Sequence, residues 1–170
     1  RDARGDGGIS GLNACASSPL LVTPDIDPQQ VPDLVSSNVR RPALAVGVGI
    51  DLVEVDRIQA LLEKNGDRFK QRVYTAGEIA YCDSCAESAM HYAARFAAKE
   101  AVAKALGTGF AEGVSWADIE VLRGGSGAPT VALHGGAARV AAQAGVTRVL
   151  LSLTHTRTTA GASALLLSDI

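Results

Sequence analysis

One long segment, running from Ser88 to Leu106, constrains the fold more than any other feature of the sequence. It is rich in alanine, the residue that most favours helix. Gly107 follows it directly and is a natural C-terminal stop. Most of its side chains are small or apolar, so a helix of this kind must be buried on most sides. We therefore expect the domain to be organised around this central helix.

The remaining apolar segments predict shorter elements on both sides of the central helix. Strands are expected where β-branched residues alternate or cluster, over residues 45–53, 119–122, 130–133, 148–153 and 160–167, with a hairpin turn at 124–127. Helices are expected over 56–64, 75–82 and 135–144; Gly66 ends the first, and Thr75 and Glu78 form a capping box in the second. This order indicates the α+β class, with an antiparallel sheet packed on the long central helix.

The first 43 residues differ in composition from the rest of the chain. They hold five of the six prolines, which prevent a long helix, and several glycines near the start. We interpret residues 1–43 as an arm or linker and residues 44–170 as the folded domain. The polar start predicts no signal peptide. Because no apolar run approaches about 18 residues, no membrane span is expected.

Charge and cysteine content exclude two further classes. The net charge is −2 and 20 % of residues are charged, which is unlike a general nucleic-acid binder. The three cysteines, Cys15, Cys82 and Cys85, form no disulfide framework and indicate a reducing, cytoplasmic compartment. Cys82 and Cys85 could form a zinc site with His91, but a second cysteine pair is missing, so ordinary thiols are the preferred interpretation.

Polar residues at three places in the predicted strands and helices are candidates for a functional site. Asp51 comes at the end of the first strand and is either the cap of the next helix or a ligand that points into a site. Glu100 lies in the central helix, four residues before Lys104. The two form an exposed ion pair, or else a buried carboxylate is neutralised by Lys104 or by a metal. His155 ends a strand and is either structural or catalytic.

Two carboxylates, a lysine and a histidine together suit phosphoryl-type transfer. Carboxylate oxygens are the ligands that Mg²⁺ prefers, and this ion completes its shell with water and substrate phosphates. A lysine beside them binds a phosphate anion as a point charge. In such reactions positioning and charge neutralisation provide most of the catalysis. The residues alone predict this chemistry without identifying the substrate.

Three motifs, in this order and spacing, resemble the holo-acyl-carrier-protein synthases, a family of 4′-phosphopantetheinyl transferases. They are Val46-Gly-Val-Gly-Ile-Asp51, the helical segment Arg95-Phe-Ala-Ala-Lys-Glu-Ala-Val-Ala-Lys-Ala-Leu-Gly107, and Ser152-Leu-Thr-His155. A further Phe-x-x-Arg and Thr-x-x-Glu stretch of the family matches Phe69, Arg72, Thr75 and Glu78. The resemblance covers nearly all of the domain and implies the phosphopantetheinyl transferase-like fold.

The resemblance implies a reaction and its site. Coenzyme A would donate its 4′-phosphopantetheine arm to a serine of an apo acyl carrier protein and release adenosine 3′,5′-bisphosphate. Asp51 and Glu100 would ligate Mg²⁺, with the coenzyme A pyrophosphate and waters completing the shell. Lys104 would contact the pyrophosphate, with Gly107 and His155 near the same phosphates. The group that accepts the serine proton stays open between a metal-bound water or hydroxide, Glu100 and His155.

The resemblance also implies partners. Arg57, Arg68 and Arg72 match positions that grip the acidic carrier-protein helix, and small members of the family are trimers with sites between subunits, so a homo-oligomer, with a trimer favoured, is expected. Larger relatives have a third acid where Val53 stands, so a water should replace it here. Ala128 stands where the family often has a basic residue, which removes one contact to the nucleotide end of coenzyme A.

Parts of the sequence also resemble the transferase domain that closes some type I fatty acid synthases, so a carrier domain of such a synthase is an alternative partner. Two alternative functions would also use some of these residues. A different Mg²⁺-dependent phosphate enzyme would use the same residues, but the sequence carries neither a Walker lysine loop nor a nucleophile elbow. A non-catalytic scaffold domain would not need the intact set of Asp51, Glu100, Lys104 and His155.

Overall fold

A computed structural model describes residues 42–124 and 127–170, so nearly all of the predicted arm, and the middle of the predicted turn at 124–127, lie outside the described residues. The described elements are β1 (Ala43–Glu54), α1 (Val55–Val73), α2 (Ala76–Asp83), α3 (Ser88–Ala105), a 3₁₀ helix (Trp116–Asp118), β2 (Ile119–Arg123), β3 (Pro129–Leu133), α4 (Gly135–Gln143), β4 (Arg148–His155) and β5 (Thr159–Asp169). The predicted order of helices and strands is confirmed, and the central helix is α3.

The strands form two antiparallel sheets, one of three strands in the order β1-β5-β4 and one of the two strands β2 and β3. In the larger sheet Asp51 lies opposite Ala162, which in turn lies opposite Leu153. One face of this sheet packs on α3, mainly through β1 and β5. The predicted α+β class, with an antiparallel sheet on a long central helix, is confirmed.

Glycine and alanine let β1 and α3 pack unusually closely. A Cβ atom at Gly49 would clash with the backbone oxygen of Ala101, and one at Gly47 with that of Ala105. On the helix side, Ala97 and Ala101 are fully buried. The Gly-x-Gly segment before Asp51 therefore brings this carboxylate against the central helix.

Two local details correct the alternatives that the sequence left open. Strand β1 continues through Glu54, and Glu54 is the N-cap of α1, so the interpretation of Asp51 as a helix cap is wrong. Helix α1 is broken at Gly66 (φ 49°, ψ −132°), where the sequence predicted an end, and resumes as a second helical segment to Val73. The capping box of Thr75 and Glu78 is confirmed.

The outer face of the larger sheet, away from α3, is apolar and exposed. On β1 the side chains of Val48, Ile50 and Leu52 are 73 %, 66 % and 66 % exposed, and Leu150 on β4 is 47 % exposed. Val48, Leu165 and Leu150 lie side by side across the three strands. A contiguous apolar face of this kind is typical of an interaction surface. Among the described residues, none of the helices is both long and apolar enough to span a membrane.

Candidate active site

Asp51 and Glu100 are brought together on one flank of α3. Asp51 lies on the inward face of β1, as Gly49 and Val53 do, and its side chain is only 15 % exposed. Glu100 is half-buried on the facing side of α3. Lys104 Nζ lies 2.7 Å from Asp51 Oδ1 and also donates to the carbonyl oxygen of Ile50 at 3.3 Å. We call Asp51, Glu100 and Lys104 the carboxylate flank.

The electrostatics of the carboxylate flank favour a cation. Burial raises the pKa of the Glu100 carboxyl, and the negative charge of Asp51 raises it further, against the opposing effect of Lys104 and Arg57. The hydrogen bond to Asp51 raises the pKa of Lys104. Lys104 therefore serves as the counterion of Asp51 in this structure, rather than of Glu100, and the predicted exposed Glu100–Lys104 pair is not formed.

The donor set of this flank fits Mg²⁺. Over residues 42–124 and 127–170 there is no cluster of three or more histidine, cysteine or acidic side chains. Two carboxylates are nevertheless what Mg²⁺ commonly takes from a protein when substrate phosphates and water supply its other ligands. Val53, at the place of a third acid, is 1 % exposed in the core. Asp51 and Glu100 could thus hold such an ion, with an open side for a substrate.

Gly107 closes the C-terminal end of α3 next to this flank. Its φ of 81° is in the left-handed region that glycine adopts freely, and its backbone N–H donates to the carbonyl of Lys104 at 3.0 Å. A Cβ atom at Gly107 would meet no atom within 4 Å, so the turn is open to solvent. The predicted phosphate-binding glycine therefore lies one turn beyond Lys104.

His155, in contrast, does not join the carboxylate flank within one chain. It lines a separate cavity of about 310 Å³ whose other walls include Tyr81, His91, Arg95, Arg123 and Pro129. Arg95 and Glu100 are five residues apart on α3, which places their side chains about 140° apart around the helix axis. The predicted site residues therefore divide between two sides of the same helix. We call the second group, His91, Arg95 and His155 with the walls around them, the cationic cavity.

Arg95 is the functional candidate that the sequence reasoning missed. It is only 6 % exposed, its guanidinium lies 4.1 Å from the centre of the Tyr81 ring, and its buried Nε has no hydrogen-bond partner among the described residues. A buried guanidinium with an unused donor is suited to a phosphate or carboxylate. Burial lowers the pKa of His91, and the charges of Arg95 and His155 lower it further. The sequence signal was the spacing of His91 and Arg95, one helical turn apart.

Comparison with known proteins identifies the family. The model of the 4′-phosphopantetheinyl transferase superfamily matches residues 47–160. This chain belongs to that superfamily. The holo-[acyl-carrier-protein] synthase of Solibacter usitatus is 55 % identical over 113 residues, which are 66 % of this chain and 90 % of that protein. The Koribacter versatilis synthase is 50 % identical over 123 residues, or 72 % and 98 % of the two chains.

A solved structure of the same class supports the fold of this transferase. The Bacillus anthracis holo-(acyl-carrier-protein) synthase, crystallised in complex with CoA (3′,5′-ADP), is 34 % identical with a TM-score of 0.61, and the match covers 74 % of this chain and 98 % of that one. The predicted family, fold and enzyme class, a holo-[acyl-carrier-protein] synthase-like transferase, are thus confirmed.

The three arginines that the resemblance assigned to carrier binding all lie on α1 of this transferase and are exposed. Arg57 is in the first turn and close enough to the carboxylate flank for its charge to lower the pKa of Glu100. Arg68 and Arg72 follow the break at Gly66 and line a shallow surface cavity of about 210 Å³ with Asn65 and Phe69. We use the name basic stripe for these three exposed arginines of α1, of which Arg57 is the one beside the carboxylate flank.

The two described cysteines of the transferase are free, and neither lines the cationic cavity, although both lie close behind its wall at Tyr81. Cys82 is fully buried, and burial raises the pKa of its thiol to about 12. Cys85 donates its thiol hydrogen to the carbonyl oxygen of Tyr81 at 3.3 Å. His91 packs its ring edge-on against Tyr81. A buried, protonated thiol is a poor metal ligand, which favours the interpretation of both cysteines as ordinary thiols.

Proposed function

We propose that this transferase moves the 4′-phosphopantetheine arm of coenzyme A to a serine of an apo acyl carrier protein in a Mg²⁺-dependent reaction. The serine oxygen forms a bond to the phosphorus that carries the pantetheine. The pyrophosphate P–O bond breaks, the serine proton passes to a base, and adenosine 3′,5′-bisphosphate leaves. The observation that carries the proposal is the carboxylate flank, two facing acids with a lysine counterion, in a chain of this superfamily.

Asp51 and Glu100 are the residues that would hold Mg²⁺. When bound, the ion would neutralise charge on the pyrophosphate and act as a Lewis acid toward it. The residues of the chain supply the rest of the electrostatics. Lys104, half exposed and held only by Asp51 and a carbonyl, is free to turn toward a phosphate and stabilise the charge of the departing bisphosphate. Glu100 and His155 are the two side chains that are candidates for accepting the serine proton.

The cationic cavity would bind the nucleotide end of coenzyme A. Arg95 offers an unused donor from a buried position, and His155 and His91 line the same cavity. Because this cavity and the carboxylate flank lie on different sides of α3, we propose that one coenzyme A molecule bridges two copies of the chain. The carboxylate flank of one protomer would then face the cationic cavity of its partner.

The apolar outer face of the larger sheet supports a homo-oligomer, and we propose a trimer. Val48, Ile50 and Leu52 would be buried by association, and a face of this size and exposure is costly to leave in water. A cyclic assembly also gives each site one flank from one protomer and one cavity from its neighbour. This arrangement would bring His155 to the carboxylate flank of a neighbouring protomer, whereas within one chain it lines the separate cationic cavity.

The basic stripe of Arg57, Arg68 and Arg72 would dock the acidic carrier protein beside the carboxylate flank. Acyl carrier proteins serve fatty acid biosynthesis, so we place the enzyme in that pathway class. Free thiols at Cys82 and Cys85 support a reducing, cytoplasmic compartment. The link to a type I fatty acid synthase stays a prediction, as do the interpretation of residues 1–43 as an arm and the choice of carrier.

A mass measurement tests the proposed function directly. The protein is mixed with coenzyme A, Mg²⁺ and several apo carrier proteins, and each carrier is weighed by mass spectrometry. We expect one carrier to gain the phosphopantetheine arm, and expect the gain to vanish when the metal is removed with a chelator. If no carrier gains mass in the presence of Mg²⁺, the proposed reaction is wrong. A gain that persists in the chelator would reject the metal assignment alone.

A further inference from the structure

A buried ion pair lies directly behind the carboxylate flank. Lys99, the residue before Glu100, is fully buried, and its Nζ lies 2.8 Å from Oε2 of Glu78, which is 2 % exposed. Burial lowers the pKa of Lys99 and the charge of Glu78 opposes this effect. Neither residue can reach a substrate, so neither is a catalytic residue.

All three donors of the Lys99 ammonium group and both oxygens of the Glu78 carboxylate have partners. Lys99 also donates to the carbonyl oxygens of Trp116, at 2.9 Å, and Ile119. The Glu78 carboxylate accepts from two backbone N–H groups, those of Thr75 at 2.8 Å and Val121 at 3.0 Å. The pair therefore connects α3 to the start of α2, to the 3₁₀ helix and to β2.

Stability alone does not account for a pair of this kind. Replacing a buried ion pair by well-packed apolar residues is often neutral or stabilising, because desolvation of two charges offsets their attraction. The pair instead fixes the orientation of the groups that it joins, since its hydrogen bonds are short and end on backbone atoms. On the sheet side, α3 is already held by the close contacts at Gly47 and Gly49. The ion pair holds the same helix on another side and so fixes its rotation about its axis.

The rotation of α3 determines where the Glu100 carboxylate lies. A side-chain end about 6 Å from the helix axis moves by about 2 Å when the helix turns by about 20°. Metal–oxygen distances tolerate only about 0.2 Å. Resting on the proposed function, we infer that the Glu78–Lys99 pair positions the Glu100 carboxylate for a divalent cation, acting through the rotation of α3.

Metal affinity of the folded protein tests this inference without catalysis. Mn²⁺ is titrated into protein with coenzyme A but no carrier protein, and free Mn²⁺ is measured by electron paramagnetic resonance. The variant E78Q/K99M keeps both side-chain shapes and leaves no unpaired charge. We expect its circular dichroism spectrum to match the unchanged protein and its Kd for Mn²⁺ to rise about tenfold or more, the usual effect of removing a supporting contact behind a metal ligand.

A second variant guards against poor folding of the first. E78D keeps the charge and shortens the side chain by one methylene. The ion pair with Lys99 can still form, but the carboxylate is displaced from the backbone N–H groups that it bonds. We expect a fold like that of the unchanged protein and a Kd for Mn²⁺ raised several-fold. Failure of both variants to fold would assign the pair to folding alone and overturn the inference.

The matched control is R148Q/D169N, which removes an ion pair of 3.0 Å at the opposite end of the larger sheet. Its Kd for Mn²⁺ should stay unchanged, because a loss of stability does not alter affinity in a population that is fully folded. An unchanged Kd in a folded E78Q/K99M variant overturns the positioning role only. Failure of the unchanged protein to bind Mn²⁺ would instead count against the proposed function.

Discussion

The two sides of α3 carry opposite charges and different degrees of burial. The carboxylate flank presents two acids and a half-exposed lysine, whereas the cationic cavity presents a buried guanidinium and two histidines. Under the proposed function each group would supply half of the site for coenzyme A, and α3 lies between the two halves. A second copy of the chain is therefore proposed to complete the site, and this separation is the basis of the first tests.

The strongest test of the carboxylate flank removes one acid at a time. Asp51→Ala or Glu100→Ala should lower the transfer rate by about a thousandfold or more, because each removes a charge on which transition-state stabilisation depends. The measurement is the initial rate of carrier modification by mass spectrometry, with circular dichroism as the check that the fold is kept. The matched control is Glu54→Ala, an exposed acid three residues after Asp51 that makes no side-chain cap bond. Near-normal rates in either site variant would refute the metal assignment.

Mixing two variants that are both impaired at low coenzyme A concentration tests whether the two sides meet across a protomer boundary. Asp51→Ala lacks the carboxylate flank and Arg95→Met lacks the cationic cavity, so neither alone should transfer well at low coenzyme A. After the two are co-refolded at equal amounts, random assortment around a ring should leave about one site in four with both halves intact. Activity near a quarter of that of the unchanged protein is therefore expected.

Two observations control this mixing experiment. Mixing without refolding should recover nothing unless subunits exchange, which light scattering and native mass spectrometry would follow. If co-refolded oligomers form and show only the low activity of the separate variants, the site lies within one chain and the shared-site proposal fails.

A smaller effect, on the KM for coenzyme A, should distinguish the role of the cationic cavity from that of the carboxylate flank. Arg95→Met removes one charge-assisted contact to a phosphate, a loss of about 1.5–3 kcal/mol, so the KM for coenzyme A should rise about tenfold to a hundredfold. The kcat should change little, since Arg95 is proposed to bind the nucleotide end of coenzyme A and not the pyrophosphate at which the bond breaks. Arg139→Met is the control, because Arg139 is exposed and donates only to the carbonyl of Glu112. An unchanged KM for coenzyme A would remove Arg95 from the site.

The contrast between the two sides also explains what the sequence could predict. Asp51 and Glu100 could be predicted as site candidates because a buried carboxylate in an apolar segment needs a cation or hydrogen-bond partner. The strand and helix that carry them follow from local sequence patterns. Lys104 as counterion of Asp51, rather than of Glu100, depended on how closely β1 packs on α3, which is a tertiary property of Gly47 and Gly49.

The cationic cavity was less accessible to sequence reasoning. Arg95 begins the second motif of the sequence, but its burial depends on Tyr81 and on β2, which no local pattern places there. His155 stays a predicted site residue, and its separation from Asp51 follows from sheet order and from the position of α3 between them. Likewise Lys99 and Glu78 were both in motifs, and only the fold shows that they form one buried pair. The candidate site residues could thus be predicted from the sequence, whereas the side chains that they contact could be predicted only for neighbours along the chain.

The smallest expected effect concerns the stability of the fold. It sets the lowest pH at which the activities of the two sides can be compared in folded protein. Asp118 is partly desolvated, which raises its pKa, but N–H groups of Ser115, Gly136 and Ala137 donate to it and hold the pKa below its usual range. A carboxyl with a lowered pKa stabilises the fold above its unfolded-state pKa, and this stability is lost as the pH falls through the folded-state value.

Asp118→Asn should therefore lower the free energy of unfolding at neutral pH by about 1–2 kcal/mol, since the amide accepts the same N–H groups less strongly. The difference between variant and unchanged protein should shrink as the pH falls below about 4, the ordinary aspartate pKa, because the unfolded-state carboxyl then binds a proton. It should level off once the pH passes below the lowered pKa of the native carboxyl. Urea unfolding followed by circular dichroism at several pH values measures both. A difference that stays constant down to pH 3 would show that the charge of Asp118 does not stabilise the fold. Acid loss of transfer above the pH at which this unfolding begins can then be assigned to a site residue rather than to the fold.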